Sequence, residues 1–285
     1  MADQKVNVTF WGVRGAIPTP QRENLYFGGE TACVEVEAEG RRIVLDGGSG
    51  LRRLGNRMLR SRGTQRLNED ILFSHFHWDH LLGIPFFAPL FMDSTLRFHS
   101  HAPVGSLHAT LSALMSPPFF PLAFDAAAAA KELRQFTAYS PFEIGPFLIR
   151  SFPLRHPQGC SGFRIECHGQ IVVYATDFEH GAVESDAILQ EHASGADLFI
   201  ADAQYTPEEY SQRAGWGHST WLEAAKIAAQ AKVKRLILFH HDPLRDDDSL
   251  SRIVSLARDL FASTDAGREG TTISTDGRTD DLTRP

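Results

Sequence analysis

The chain has 285 residues, 42% of them hydrophobic, which suffices for a sizeable core. A formal charge of −7 argues against broad, non-specific binding to nucleic acid but leaves room for a local basic pocket. Cys33, Cys160 and Cys167 form no CxxC pair, so a disulfide framework or a thiolate zinc cage is not expected. No apolar run reaches the ~18 residues that a membrane span needs. The opening MADQKVNVTF lacks a basic segment followed by an apolar one, so the expected location is the cytoplasm.

In chain order, VNVTFWG (6–12), ACVEVEA (32–38) and RRIVLD (41–46) read as strands from their β-branched content and punctuation. LRRLGNRMLR (51–60) reads as a helix, DILFS (70–74) as a strand, and residues 79–90 as a helix broken near Pro85. GSLHATLSALM (105–115) is helical, and the alanine-rich AFDAAAAAKELRQF (123–136) suits a surface helix or a lid. FLIRSFPL (147–154), GFRIEC (162–167) and QIVVYAT (170–176) follow as strands, then VESDAILQEHA (183–193) as a helix. DLFIAD (197–202) and RLILFH (235–240) are strands flanking a helix over 220–232, whose Thr220-x-x-Glu223 pattern is a capping box. The order predicts an α/β chain with two sheets packed face to face and helices outside, in one domain over 1–275. The polar DGRTDDLTRP (276–285) is expected to fray.

One stretch carries chemistry. DILFSHFHWDHLLGIPFF places His75, His77, Asp79 and His80 within six positions at the end of an apolar run. Crowded imidazoles repel when protonated, and a metal ion is the first candidate to reward the crowding. Thirteen histidines is a high count, and several acid and imidazole residues recur where apolar runs stop. His156 follows SFPLR, Asp177 follows VVYAT, Asp202 follows LFIA, and His240 and His241 follow LILF. His218 stands just before the helix capped by Thr220. A lone histidine at a strand end is most often an ordinary core or surface residue. The cluster at 75–80 makes the others candidate ligands, because two metals need about seven protein donors. HSH at 99–101 copies the HxH spacing without the following DH and reads as a decoy.

HFHWDH followed by Gly83, then a lone His, an Asp and a late His, resembles the metallo-β-lactamase superfamily, over nearly the whole chain from LDGGSG (45–50) to LFHHDP (238–243). The resemblance implies a four-layer αββα sandwich with the site at one edge of the sheets. It implies His75, His77 and His156 on one metal, Asp79, His80 and His240 on a second, and Asp177 between them. His218 and His241 compete with His240 for the late position; His240 is preferred because it ends an apolar strand, with His241 behind it. Five histidines among seven ligands suit two divalent ions, zinc or manganese first and iron as an alternative.

Three stretches resemble the tRNase Z-like branch: Gly83-x-Pro85 after the histidine motif, ADLFIADAQY (196–205) ending a strand in an acid, and GHSTWLEAAKIA (217–228) with its His-Ser-Thr. The resemblance implies a phosphodiesterase in which His218 meets the phosphate and Asp202 orients its ring. The candidate catalytic residues are therefore Asp79, Asp202 and His218. Asp stands where that branch has Glu, and no long basic insertion is visible, which points to a small phosphodiester. The nearest likeness is to cyclic-phosphate phosphodiesterases, and extended nucleic acid is not an expected partner. A homodimer is carried as the assembly. The implied reaction is in-line attack on phosphorus by a metal-bridged hydroxide, with His218 protonating the leaving oxygen. Arg14, in WGVRGAIPTP (11–20), is a candidate phosphate contact, beside the alternative of a surface arginine on a glycine-flanked turn. The rival readings are a lactone, thioester or lactam hydrolase on the same scaffold, or a metal-binding protein without activity.

Overall fold

The computed structural model describes residues 5–61, 63 and 65–282. Residues 1–4, read as lacking a leader, and 283–285 of the polar tail lie outside the described residues. Among the described residues, two mixed sheets stack face to face. The first is built from β1 (Asn7–Gly12), β2 (Cys33–Ala38), β3 (Arg41–Leu45), β4 (Leu67–Leu72), β5 (Ser94–Ser100) and β6 (Ala130–Gln135). The second holds β7 (Phe142–Ile144), β8 (Phe147–Leu154), β9 (Cys160–Cys167), β10 (Gln170–Ala175), β11 (Leu198–Asp202), β12 (Leu236–Phe239) and β13 (Thr264–Ala266). The chain then returns to the first sheet as β14 (Thr271–Ser274) and β15 (Thr279–Asp281), giving the orders β15-β14-β1-β2-β3-β4-β5-β6 and β13-β12-β11-β10-β9-β8-β7.

Alternation along the strands builds the layers. Ile43 and Leu45 of β3, Val172 and Tyr174 of β10, and Ile237 and Phe239 of β12 point into the space between the sheets. Their neighbours point outward: Val44 to one helical layer, Val173, Ala175, Leu236 and Leu238 to the other. Successive side chains on a strand face opposite sides, so runs apolar at every position need cover on both faces. Helices α1 (Gly50–Ser61) and α2 (Val104–Leu114) cover the first sheet, and α3 (Val183–Ala193), α5 (Trp221–Gln230) and α6 (Asp247–Leu260) cover the second, with a single turn α4 (Pro207–Tyr210) before α5. The expected α/β sandwich with helices outside is what forms.

Several local expectations fail for identifiable reasons. Residues 79–90 form three short 3-10 turns, Trp78–His80, Ile84–Phe86 and Ala88–Phe91, because Pro85 and Pro89 remove the amides a continuous helix needs. The alanine run is neither helix nor lid: after a turn at Phe124–Ala126 it becomes β6, parallel to β5 from Thr95↔Ala130 to Ser100↔Gln135. Helix propensity is worth at most about 0.7 kcal/mol per residue, less than the ladder and the burial of Phe124, Ala127 and Ala129. Thr279–Asp281 does not fray but pairs with β14. Helix α6 was legible in DDSLSRIVSLARDL and was missed; Asp246 caps it by accepting from the Ser249 amide at 2.7 Å. Strand β5, which carries the HSH decoy, was also missed; His99 is buried, with Nε2 2.8 Å from Asp70 Oδ1, far from any role as a ligand.

A candidate metal centre at the sheet edge

The parallel strands β3 and β4 of the first sheet and β10, β11 and β12 of the second end at one edge, where α/β sheets place their sites. The residues one or two places past these ends turn sharply. Asp46, Asp177 and His240 have φ of 61°, 53° and 58°, a left-handed conformation costing about 1–3 kcal/mol each for a non-glycine residue. Such strain persists only where the surroundings enforce it, and here it aims three polar side chains into the crevice.

The structure gathers all seven candidate ligands. His75 Nε2 and His156 Nε2 each lie 3.8 Å from Asp177 Oδ1, and His156 Nε2 is 3.1 Å from His77 Nδ1. On the other side of the same carboxylate, His80 Nε2 and His240 Nε2 lie 3.2 and 3.4 Å from Asp177 Oδ2. Asp79 Oδ2 completes that group, 3.5 Å from His80 Nε2 and 3.1 Å from His240 Nε2. Tetrahedral ligands about 2.1 Å from an ion stand about 3.4 Å apart, which matches this spacing.

Outer hydrogen bonds decide which nitrogen of each ring faces inward. His156 donates Nδ1–H to the Gly217 carbonyl at 2.7 Å, so Nε2 carries a lone pair. His80 donates Nδ1–H to Asp46 at 2.8 Å, and His240 donates Nδ1–H to Gln204 Oε1 at 2.9 Å. Ser74 donates to Asp46 at 2.8 Å and accepts from His75 Nδ1 at 3.0 Å. His77 donates Nε2–H to Gln158 Oε1 at 3.2 Å, presenting Nδ1. Imidazoles so oriented are those of a metal site. The buried Nε2 atoms of His75 and His80 have no hydrogen-bond partner in the protein, which is the mark of a group built for a cation. The donor set therefore fits a divalent metal.

Electrostatics agree. Burial opposes a charge on His80, yet Asp177, Asp79 and Asp46 around it hold its pKa well above the usual imidazole range. Burial and the neighbouring His80 push His75 well below that range, so it is neutral. Burial works to raise Asp79 and Asp177, but the imidazoles around them keep both well below the ordinary carboxylate range. The ionised acids of this dry pocket attract a cation, and a metal ion bound there takes the place of the proton that they hold on His80.

His218 and Asp202 also meet here. His218 donates Nδ1–H to Asp202 Oδ2 at 2.8 Å, and its ring stacks on His240 with centroids 4.9 Å apart. Asp202 is fully buried and also accepts from the backbone amides of Asp177, Gln204 and Ser219 at 3.1 Å each. Burial disfavours a charged His218, but the Asp202 carboxylate outweighs it and raises the pKa to about 9 in the metal-free protein.

Two expectations about neighbouring residues need comment. Arg14 is not a substrate contact: its side chain is fully buried, donating to the carbonyls of Gly28, Asp242 and Arg245 at 2.8, 3.2 and 2.5 Å. The loop it belongs to does reach the site, through Ala16, whose amide donates to Asp79 Oδ2 at 2.7 Å. Gly15 packs so close that a Cβ there would sit 2.5 Å from the His240 ring. His241 faces away, donating Nε2–H to the Gly267 carbonyl at 3.0 Å, and burial lowers its pKa to about 3. A depressed folded-state pKa makes stability full above about 6.5 and lost as pH falls from there toward about 3. A His241→Gln variant is expected to keep its metal and to lose about 1.4 kcal/mol less stability per pH unit of acidification below 6.5 than wild type. Urea melts of metal-free protein across that range check it; equal acid limbs would remove this account of His241.

Sequence reasoning missed four supporting residues. Asp46 is fully buried and accepts from the Ser74 amide and hydroxyl, His80 and the Tyr174 hydroxyl, at 2.7 to 2.9 Å. Its signal was available, since it too ends an apolar run. Gln158 and Gln204, which set the tautomers of His77 and His240, carried no visible signal, since glutamines in loops are common. Glu179 accepts from the amides of Gly215 and Gly217 at 2.6 and 3.0 Å and so pins the turn whose Gly217 carbonyl orients His156. Beside the donors, a crevice of about 280 Å3 is lined by His75, His77, His101, Gln158 and Cys160.

Comparison with known proteins places this arrangement. Residues 41–241 match the model of the beta-lactamase superfamily domain. A Ribonuclease Z of Bradyrhizobium sp. (strain ORS 278) is 26% identical over 310 aligned positions, covering 90% of this chain and 95% of its own. The metallo-beta-lactamase fold protein YhfI from Bacillus subtilis superposes with a TM-score of 0.73 at 21% identity, covering 95% of this chain and all of its own. Human tRNase Z, short form, superposes with a TM-score of 0.64 at 19% identity, covering 94% and 98%.

Proposed function

The chain belongs to the beta-lactamase superfamily, and we propose that within it this protein is a metal-dependent phosphodiesterase that uses two divalent ions, zinc or manganese. The observation that carries the reading is His218, held on Asp202 against the donor cluster. A lactone, thioester or lactam hydrolase needs the same metal ligands but has no use for that pair. Relatives named Ribonuclease Z support the same class of reaction.

His75, His77 and His156 would hold one ion and Asp79, His80 and His240 the other, with Asp177 lying between the two groups. Divalent ions there supply a water made acidic enough to attack near neutral pH and neutralise charge on the phosphoryl oxygens. The chain's own residues do the rest. Asp46, Gln204, Gln158 and the Gly217 carbonyl keep the imidazoles in one tautomer and one orientation. Asp202 holds the His218 proton on Nδ1 and stabilises its imidazolium, so Nε2–H is free to protonate the departing oxygen. Asp79, held by the Ala16 amide, keeps the mouth of the site in register with the 14–20 loop.

The first test is hydrolysis of bis(p-nitrophenyl) phosphate with added Mn²⁺ or Zn²⁺. Wild type is expected to release p-nitrophenolate only with metal, and Asp79→Ala to release none above background. Turnover of a lactone or thioester with no turnover of the phosphodiester would overturn the substrate class while leaving the metals in place. The net charge of −7 favours a small ester. Where the charge lies decides more than its sum.

A further inference from the structure

Residues 51–66, LRRLGNRMLRSRGTQR, hold six arginines and no carboxylate in a chain whose net charge is −7. Most of this segment is α1 (Gly50–Ser61). Its first turn contains Arg52 and Arg53 and no acid, so cations sit at the end where the helix dipole favours anions. Arg53, Arg57 and Arg60 lie on one face at spacings of four and three residues, where like charges destabilise a helix by about 0.2–0.5 kcal/mol per pair. In the first turn the compensating anion is supplied by the protein, Glu30 for Arg52 and Glu269 for Arg53, which leaves Arg57 and Arg60 uncompensated further along the helix.

A groove of about 670 Å3 runs along this face, lined by Arg53, Asn56, Arg57 and Arg60 with Trp11 and Gly270. Arg53 is paired with Glu269, but Arg57 and Arg60 are exposed and have no carboxylate within ion-pair distance among the described residues. The Arg57 guanidinium instead lies 5.8 Å from the centre of the Trp11 ring. Elsewhere arginines are mostly neutralised, as Arg41 by Asp70, Arg42 by Glu35, Arg150 by Glu166 and Arg245 by Glu209. Arg57 and Arg60 thus stand together, without a carboxylate, on the helix face that borders the groove.

We propose that the groove along α1 binds the phosphate backbone of a single-stranded nucleic acid. From Arg53 to Arg60 the helix rises about 10 Å, and a strand running along it meets Arg57 and Arg60 in succession, the two guanidiniums that no carboxylate among the described residues holds. Asn56 adds an amide on the same face. Helix α1 starts four residues after Asp46, so a strand lying along it has one end near the metal centre. The choice of ligand rests on the phosphodiesterase reading; the groove and its charge do not. This inference replaces the expectation, drawn from net charge, that extended nucleic acid is not a partner.

The test is fluorescence anisotropy of a labelled phosphorothioate oligothymidylate, which keeps the strand's charge and resists hydrolysis, with metal-loaded wild type and an Arg57→Ala/Arg60→Ala variant. The variant is expected to bind about ten-fold more weakly, and its plot of log affinity against log salt to be shallower by about 1.4. Its kcat/KM for bis(p-nitrophenyl) phosphate is expected to equal wild type, because that ester does not reach the groove. Equal affinity and slope in the two proteins would overturn the proposal, as would wild-type binding of polyglutamate as tight as that of the oligonucleotide. Absence of bis(p-nitrophenyl) phosphate turnover in wild type would overturn the phosphodiesterase reading instead, whatever the binding result.

Discussion

Replacing His218 with Ala is expected to lower kcat for a phosphodiester with a poor leaving group by about 10²–10⁴ and to leave the metal content unchanged. The side chain that orients it, Asp202, is bonded to His218 Nδ1 at 2.8 Å, which leaves Nε2 as the proton donor. A general acid matters most when the departing oxygen is basic. The loss should therefore be much smaller for a p-nitrophenyl ester than for an alkyl ester. Asp202→Asn adds a second readout. The acid form of His218 is the active one, so activity is lost as pH rises through its pKa. Removing the carboxylate that raises that pKa is expected to move the basic limb of the kcat profile to lower pH. His218 also lies 3.8 Å, from Nδ1, to Asp177 Oδ1, so metal analysis by plasma emission is part of the test. A variant that loses metal along with activity would make His218 a ligand and not an acid.

The second large effect is expected at Asp46, a residue with no direct place among the donors. Asp46→Ala leaves the His80 ring, the Ser74 amide and hydroxyl and the Tyr174 hydroxyl without their acceptor in a fully buried pocket. Each stranded donor costs about 1–3 kcal/mol, although water entering the space left by the carboxylate satisfies some of them. The net loss is expected to be about 3–5 kcal/mol, read from urea melts of the metal-free protein. Metal affinity is expected to fall about 10–100-fold, because His80 and, through Ser74, His75 lose the bonds that fix their rings. Asp46→Asn keeps the shape but presents an amide to one of these donors, and is expected to fall between wild type and Ala on both measures. Wild-type metal affinity in the Ala variant would remove Asp46 from the account of the site.

How much of this could be read in advance depended on the reach of each interaction. His75, His77, Asp79 and His80 are adjacent in the chain, so their grouping needs no fold to be seen. Asp177, Asp202 and His240 are each announced by the end of an apolar run. Asp46 is announced in the same way and was overlooked. Arg14 misled because a glycine-flanked arginine in an edge loop looks exposed in sequence; only the return of residues 242–245 over the loop buries it. The alanine run misled because propensity is local while a parallel ladder to β5 is not. Net charge is limited in the same manner, since a sum over 285 residues does not show where six arginines of one segment lie.

Sequence alone thus determined the strands that are apolar at successive positions, hence two sheets covered on both faces, and the kinds of donor that end them. Both follow from period and residue chemistry, which are properties of short stretches. The tertiary structure alone decided that Asp177 turns one oxygen to His75 and His156 and the other to His80 and His240. It also decided that His240 faces the cluster while His241 turns to Gly267, and which nitrogen of each ring is bare. Those outcomes depend on contacts between residues up to 161 positions apart, such as Asp79 with His240, and no local pattern encodes a distance of that kind.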